Sequence, residues 1–141
     1  MKKAFLFCIL VLGFIFSVYG QNISDFKYTV NGGAVTITEY IGSENDIVIP
    51  DSISGFPVTS IGEGAFCDTG LTSVIIPNSV TIISDGAFLA NYLTNVIIPD
   101  SVTTIGRSAF AHNQLTEVII PKSVSNIGVD AFDENVKIIR E

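Results

Sequence analysis

Apolar and polar positions along this chain fall into a pattern that restarts every 22 residues. Phe66, Phe88, Phe110 and Phe132 are in step, as are Ala65, Ala87, Ala109 and Ala131, and Ile61, Ile83, Ile105 and Ile127. Pro77, Pro99 and Pro121 keep the same spacing, each closing a Val-Ile-Ile run that Leu71, Leu93 or Leu115 opens. A fixed period of between about 20 and 50 residues is the mark of a solenoid, in which each coil is one supersecondary unit stacked on the last. The expected fold is a β-rich repeat solenoid with little regular helix and about four 22-residue coils.

Each coil has a physical reading. Leu71-Thr72-Ser73-Val74-Ile75-Ile76-Pro77 is rich in β-branched residues, which suit a pleated backbone, and proline ends it because it cannot donate to a ladder. Asn78-Ser79-Val80 is turn-like, and Ile83, Ala87 and Phe88 then return apolar groups to the same interior. Asn91 and Asn113, with Gly70 near the equivalent place, are expected to supply left-handed or turn backbone before the next strand. One coil alone buries too little apolar surface to offset the entropy of fixing its backbone, so the coils must stack.

The ends of the chain break the period. Phe26 to Val30 and Ala34 to Thr38 alternate as two strands across Asn31-Gly32-Gly33, a hairpin signal, so residues 21–47 are expected to form an N-terminal β cap. The repeats are then expected over 48–141, with Val136 to Glu141 as a shortened last strand whose charges close the stack. Residues 1–20 have the form of a secretory signal peptide: Lys2 and Lys3, a fifteen-residue apolar run from Ala4 to Val18, and cleavage expected after Gly20. An uncleaved anchor is the rival, but the run is shorter than the roughly 20 residues a membrane-spanning helix needs. No second apolar stretch follows, so no membrane span is expected after cleavage, and the localisation expected is secreted or cell surface.

Charge and chemistry narrow the function. Loss of Lys2 and Lys3 leaves five basic against fourteen acidic residues, a net charge of −9, which argues against a nucleic-acid or anionic-membrane partner. Cys8 would leave with the leader, so Cys67 cannot make an internal disulfide; a small buried side chain is expected there, an intermolecular disulfide being the alternative. The single histidine, His112, lies in the variable turn between coils with no nucleophile motif beside it, and one Cys with one His cannot build a Cys/His metal site. Gly62-Glu63-Gly64 belongs to the repeat, recurs in part as Gly106 and Gly128, and has no lysine partner for a phosphate. Asp51 and Asp100 recur after the strand proline, but Asn78 and Lys122 fill the matching places, which leaves calcium binding unsupported. No enzyme, no cofactor and no metal are expected. Asn22-Ile23-Ser24 is a glycosylation acceptor pattern, meaningful only in a eukaryotic source.

The segments LTSVIIPNSVTIISDGAF, LTNVIIPDSVTTIGRSAF and LTEVIIPKSVSNIGVDAF resemble the BspA-type, or treponemal, leucine-rich repeat. The first coil, IPDSISGFPVTSIGEGAF, is similar to that family's opening repeat, with a five-residue insertion around Gly55-Phe56-Pro57. The resemblance spans about Tyr28 to Glu141 and implies a leucine-rich-repeat fold. It also implies a surface or secreted protein of bacteria or parasitic protists, with adhesion to host or neighbouring cells among the roles. Three departures stand out: only four coils, no cysteine in the turn where the family commonly has one, and no recognisable wall-sorting or membrane anchor after the repeats.

In leucine-rich repeats the strand positions between inward residues face the concave sheet surface. With Leu71, Val74 and Ile76 inward, that face carries Ser73 and Ile75, then Asn95 and Ile97, then Glu117 and Ile119, with Val48 continuing the line in the first coil. The result is an apolar ladder, Val48-Ile75-Ile97-Ile119, where the family often has threonine. Contiguous exposed apolar patches mark interaction sites, so the ladder is a candidate contact surface for a protein or glycoprotein partner. The competing explanation is that isoleucine serves β-propensity and packing within the sheet. A structural, self-associating surface protein is the alternative function.

Overall fold

The computed structural model describes residues 22–141, so the leader and its cleavage after Gly20 lie outside the described residues. A 3-10 turn, Ile23–Asp25, precedes the strands β1 (Phe26–Asn31), β2 (Ala34–Tyr40), β3 (Asp46–Val48) and β4 (Ser52–Ile53). Then follow β5 (Phe56–Ile61), β6 (Ser73–Ile75), β7 (Ile82–Ile83) and β8 (Thr104–Ile105). The last are β9 (Glu117–Ile120), β10 (Asn126–Ile127) and β11 (Lys137–Arg140). These elements wind a β-solenoid of about five turns of about 22 residues.

The expected hairpin is present: β1 and β2 pair antiparallel, with Gly32 and Gly33 at φ 57° and 77° in the left-handed turn that only glycine enters without strain. Both strands run further than the alternation indicates, and the register shifts between Lys27 and Tyr28. β2 also pairs parallel with β5, setting Ile37 beside Ile61, so the cap is built into the stack as its first turn. The insertion in the next coil is a second hairpin, β4 against β5, turned by Ser54 and Gly55, both at positive φ.

Each coil touches the interior from two sides. On one side β2, β5, β7, β8 and β10 run parallel in order, aligning Ile61 with Ile83, Ile83 with Ile105 and Ile105 with Ile127. Of these, β7, β8 and β10 are two residues long, too short for any periodicity to announce. On the other side β3 pairs with β6 and β9 with β11, also parallel. The matching stretch of the middle coil keeps the alternation, with Leu93, Val96 and Ile98 buried, but forms no strand, so the ladder of hydrogen bonds is interrupted there. The coils are tied instead by Tyr92 N–H to Leu71 O and Gln114 N–H to Leu93 O, both at the start of that stretch. A third line joins Phe66 N–H to Ala87 O, Phe88 N–H to Ala109 O and Phe110 N–H to Ala131 O.

The phenylalanines line up inside, as their spacing requires. Phe66, Phe88 and Phe110 are wholly buried, with ring centroids 5.0 and 5.1 Å apart, and Phe132, half-buried, stacks on Phe110 at 5.3 Å. Tyr40 extends the column, stacked on Phe66 at 5.6 Å, and Phe26 closes it edge-on. Gly106 is needed for close approach, since a Cβ there would be driven into the backbone nitrogen of Asp85 in the preceding coil.

Two expectations are corrected. Asn91 and Asn113 do not supply the left-handed backbone; Asp68, Ala90 and His112, each just ahead of the place the asparagines hold, have φ of 53°, 56° and 57°. The amides bridge coils instead, donating to Phe66 O from Asn91 and to Phe88 O from Asn113. Cys67 is exposed, not buried. Its counterparts one, two and three coils on are Leu89, Ala111 and Asp133, and a position with no fixed residue type is not part of a shared core.

Candidate functional site

The ladder residues are where the alternation puts them. β3 and β6 align Asp46 with Ser73 and Val48 with Ile75; β9 and β11 align Glu117 with Lys137 and Ile119 with Ile139. Val48 and Ser73 are half-buried, while Asn95 and Glu117 are exposed. Ile75, Ile97 and Ile119 are 43%, 74% and 47% exposed, and their chain neighbours Val74, Val96 and Val118 are buried. One coil height separates each outward isoleucine from the next, so they share a face. Ile139, half-buried beside Ile119, carries the row one coil further than the spacing indicates, because the last coil is shorter than 22 residues and falls out of step. Tyr92, 58% exposed, also escapes the repeat, its counterparts being Gly70 and Gln114. Beside the apolar row runs a polar one: Asp46, Ser73, Asn95, Glu117 and Lys137.

Behind this face the strand starts are fixed by asparagine amides, buried at Asn91 and half-buried at Asn113. Asn91, 4% exposed, accepts from Leu71 N–H at 2.9 Å and Thr69 Oγ1 at 3.2 Å, and its Nδ2 donates to Phe66 O at 2.7 Å and Phe88 O at 3.1 Å. Asn113 repeats the bridge one coil on: Leu93 N–H donates to its Oδ1 at 3.0 Å, and its Nδ2 donates to the carbonyls of Phe88 and Phe110, both at 2.9 Å. In the last coil Asp133 accepts from His112 N–H at 2.9 Å and from Asn113 N–H at 3.3 Å. A buried polar group of this kind is tolerated only because its partners are all supplied.

Tyr40, at the base of the phenylalanine column, donates its hydroxyl to Glu44 O and accepts from Glu44 N–H, both at 3.2 Å. Burial pushes its phenol above the ordinary 10.0, the charges of Asp25 and Glu44 add to that, and the hydrogen bond to Glu44 opposes it. His112 is an exposed turn residue whose Nδ1 lies 4.0 Å from Asp133 Oδ1. Asn22 is exposed and caps the 3-10 turn, its Oδ1 accepting from Ser24 N–H at 3.2 Å. Among the described residues no group of three or more His, Cys, Asp or Glu could hold a metal ion, and no helix is long and apolar enough to cross a membrane. A shallow, open depression lies beside the β4–β5 hairpin, lined by Asp51, Ser52, Gly55, Pro57, Pro77, Asn78 and Ser79.

A stack of short parallel strands with an inner aromatic column, asparagine bridges and an outward isoleucine row defines a leucine-rich-repeat solenoid. The sequence pattern described as "BspA type Leucine rich repeat region" matches residues 36–140 in six copies, and the chain belongs to that family. No curated protein matches it. Among solved structures it is similar to a leucine-rich repeat protein from Bacteroides capillosus, at 25% identity and TM-score 0.64, over 86% of this chain and 97% of that one. It is similar to the T. pallidum Leucine Rich Repeat protein at 22% identity and TM-score 0.61, over 79% of this chain and 65% of that one. The pneumococcal vaccine antigen PcpA shares the fold at 23% identity and TM-score 0.64, over 83% of this chain and 36% of that one. The chain therefore spans less than two thirds of the treponemal and pneumococcal chains.

Proposed function

We propose that this chain is a secreted or cell-surface binding module that holds a protein or glycoprotein partner, in adhesion to host or neighbouring cells, on the face bearing Val48, Ser73, Ile75, Asn95, Ile97, Glu117 and Ile119. The observation that carries it is the exposure of Ile75, Ile97 and Ile119 in one line across stacked coils. A sheet-stability explanation for these isoleucines is weakest at Ile97, the most exposed of them, because its stretch makes no ladder for a β-branched residue to support. Membership of a repeat family and an acidic surface outside Lys2, Lys3 and the apolar leader support export and protein recognition over nucleic-acid binding.

The test is Ile97→Thr with Ile119→Thr, which removes apolar area from the face and nothing from the interior. Binding is measured by interferometry against purified matrix and secreted glycoproteins. Circular dichroism and melting should stay as in the parent, while affinity for at least one ligand falls about tenfold or more, the effect of losing about 1.4 kcal/mol. If every ligand found binds parent and variant alike, the ladder is not the contact.

A further inference from the structure

The outward apolar side chains recur at the height of one coil, and the packed interior fixes that height. Equivalent rings of the phenylalanine column stand 5.0, 5.1 and 5.3 Å apart, and the outward isoleucines belong to the same coils. Val48 joins them one strand spacing from Ile75, about 4.8 Å, through the parallel pairing of β3 with β6. Val48, Ile75, Ile97 and Ile119 therefore span three coil heights, about 15 Å, along the stacking direction.

That spacing selects the backbone of whatever lies along the row. An α-helix rises about 1.5 Å per residue, so side chains at i, i+4, i+7 and i+11 form one stripe with a mean step of about 5.3 Å, and four of them cover about 16 Å. An extended strand sets same-face side chains about 6.7 Å apart, and four of them cover about 20 Å. The helix stays in step with the row from end to end, whereas the strand is a full coil out by its fourth side chain. Charge selects further. The ionised positions flanking the row are Asp46 and Glu117, two residues before an apolar position, and Asp51, Asp100 and Lys122, three residues after one, all of them exposed. Four carboxylates against one ammonium favour a cationic surface on the occupant and repel an anionic one.

We propose that the ladder takes an amphipathic α-helix of its partner, laid along the stacking direction, with an apolar stripe at i, i+4, i+7 and i+11 over Val48, Ile75, Ile97 and Ile119 and with Lys or Arg on both flanks. The inference rests on the ladder being the contact face and names the element that lies on it. Ile97, the most exposed residue of the row, falls inside the footprint rather than at its rim, where an anchor is best shielded from water. Recognition then uses apolar anchors at helical spacing, with the flanking charges setting which helices are admitted.

The probe is an Ala-rich peptide of about 18 residues, long enough to sample the helix, with Leu at i, i+4, i+7 and i+11 and Lys on both flanks. The control has the same composition with Leu at every second position, the spacing of a strand. Binding to the purified chain is read by fluorescence anisotropy and peptide helicity by far-ultraviolet circular dichroism, to which a solenoid of strands adds little helical signal. The helical peptide should gain helicity when bound and should bind about tenfold more tightly than the control. Ile97→Thr with Ile119→Thr should weaken it about tenfold, and a peptide with Glu in place of Lys should be weaker by a similar factor at low salt. An alternating peptide that binds as tightly as the helical one, and is lost with the same double substitution, overturns the helix while leaving the ladder as the contact. A helical peptide held equally by parent and variant, or not held at all, also overturns the helix. Whether the ladder is a contact is decided apart from both peptides, by the glycoprotein series.

Discussion

Asn91 carries a structural load out of proportion to one side chain. Its amide joins the backbone of its own coil to that of the preceding one at three points: Phe66 O, Leu71 N–H and Phe88 O. Replacing it by alanine strands those groups in a region water does not reach, and each buried unpaired group costs roughly 1 to 3 kcal/mol. Asn91→Ala should lower the unfolding free energy by about 2 to 4 kcal/mol in urea melts, and Asn113→Ala by less, because its site is half-buried and water can substitute. Equal losses at the two sites would show that burial is not what makes the bridge matter. Tyr40 makes a second prediction at this scale. Its folded pKa lies above the unfolded value, so the folded form binds the proton more tightly. The stability this provides is complete below about pH 10 and is lost as pH rises through the folded pKa. The urea midpoint should therefore fall between about pH 9 and pH 12, and Tyr40→Phe should flatten that fall while lowering the midpoint at neutral pH through loss of the bonds to Glu44. An unchanged slope in the variant would assign the alkaline loss elsewhere.

Among the elements, the turn after each of β5, β7, β8 and β10 shows how the repeat tolerates sequence change. Gly64 and Gly86 hold the left-handed turn in two coils at φ 60° and 61°; Ser108 and Asp130 hold it in the next two at 51° and 54°. A side chain in that region is strained by about 1 kcal/mol or more. Ser108→Gly should relieve it and raise the melting temperature by a few degrees, about 0.5 to 1 kcal/mol after the entropy of a glycine in the unfolded chain is deducted. A lowered melting temperature would mean that the serine is held by something other than its backbone.

Positions fixed by the shared interior, such as Phe88, Val96 and Ile105, repeat their residue type, so their burial could be read directly. The outward ladder followed from them, since alternation along an extended chain leaves no other face for Ile97. The asparagine bridges could not be told from turn formers, because asparagine does both and the hydrogen-bond partners lie a coil away. Tyr40 and Ile139 sit where the 22-residue period breaks, at the hairpin and in the shortened last coil, and the strands β7, β8 and β10 are two residues long, below the reach of any periodic signal.

For the whole molecule, each coil contacts its neighbours and little else, so stability is shared along the stack, and one missing stretch of ladder does not divide it. The interruption at the middle coil is bridged on three sides: by the aromatic column, by the inner parallel sheet and by the amides. A rigid stack of this kind can hold an apolar row in water, where a flexible chain would fold it inward. Ile75, Ile97 and Ile119 accordingly face solvent while the residue before each faces the core. Single cysteines report this directly, in chains where Cys8 and Cys67 are replaced by serine. Ile97→Cys and Ile119→Cys should react with a soluble maleimide at close to the rate of an unfolded thiol, and Val96→Cys should react only when urea unfolds the stack. Equal rates at Ile97→Cys and Val96→Cys, or a protected thiol at Ile97→Cys, would contradict it.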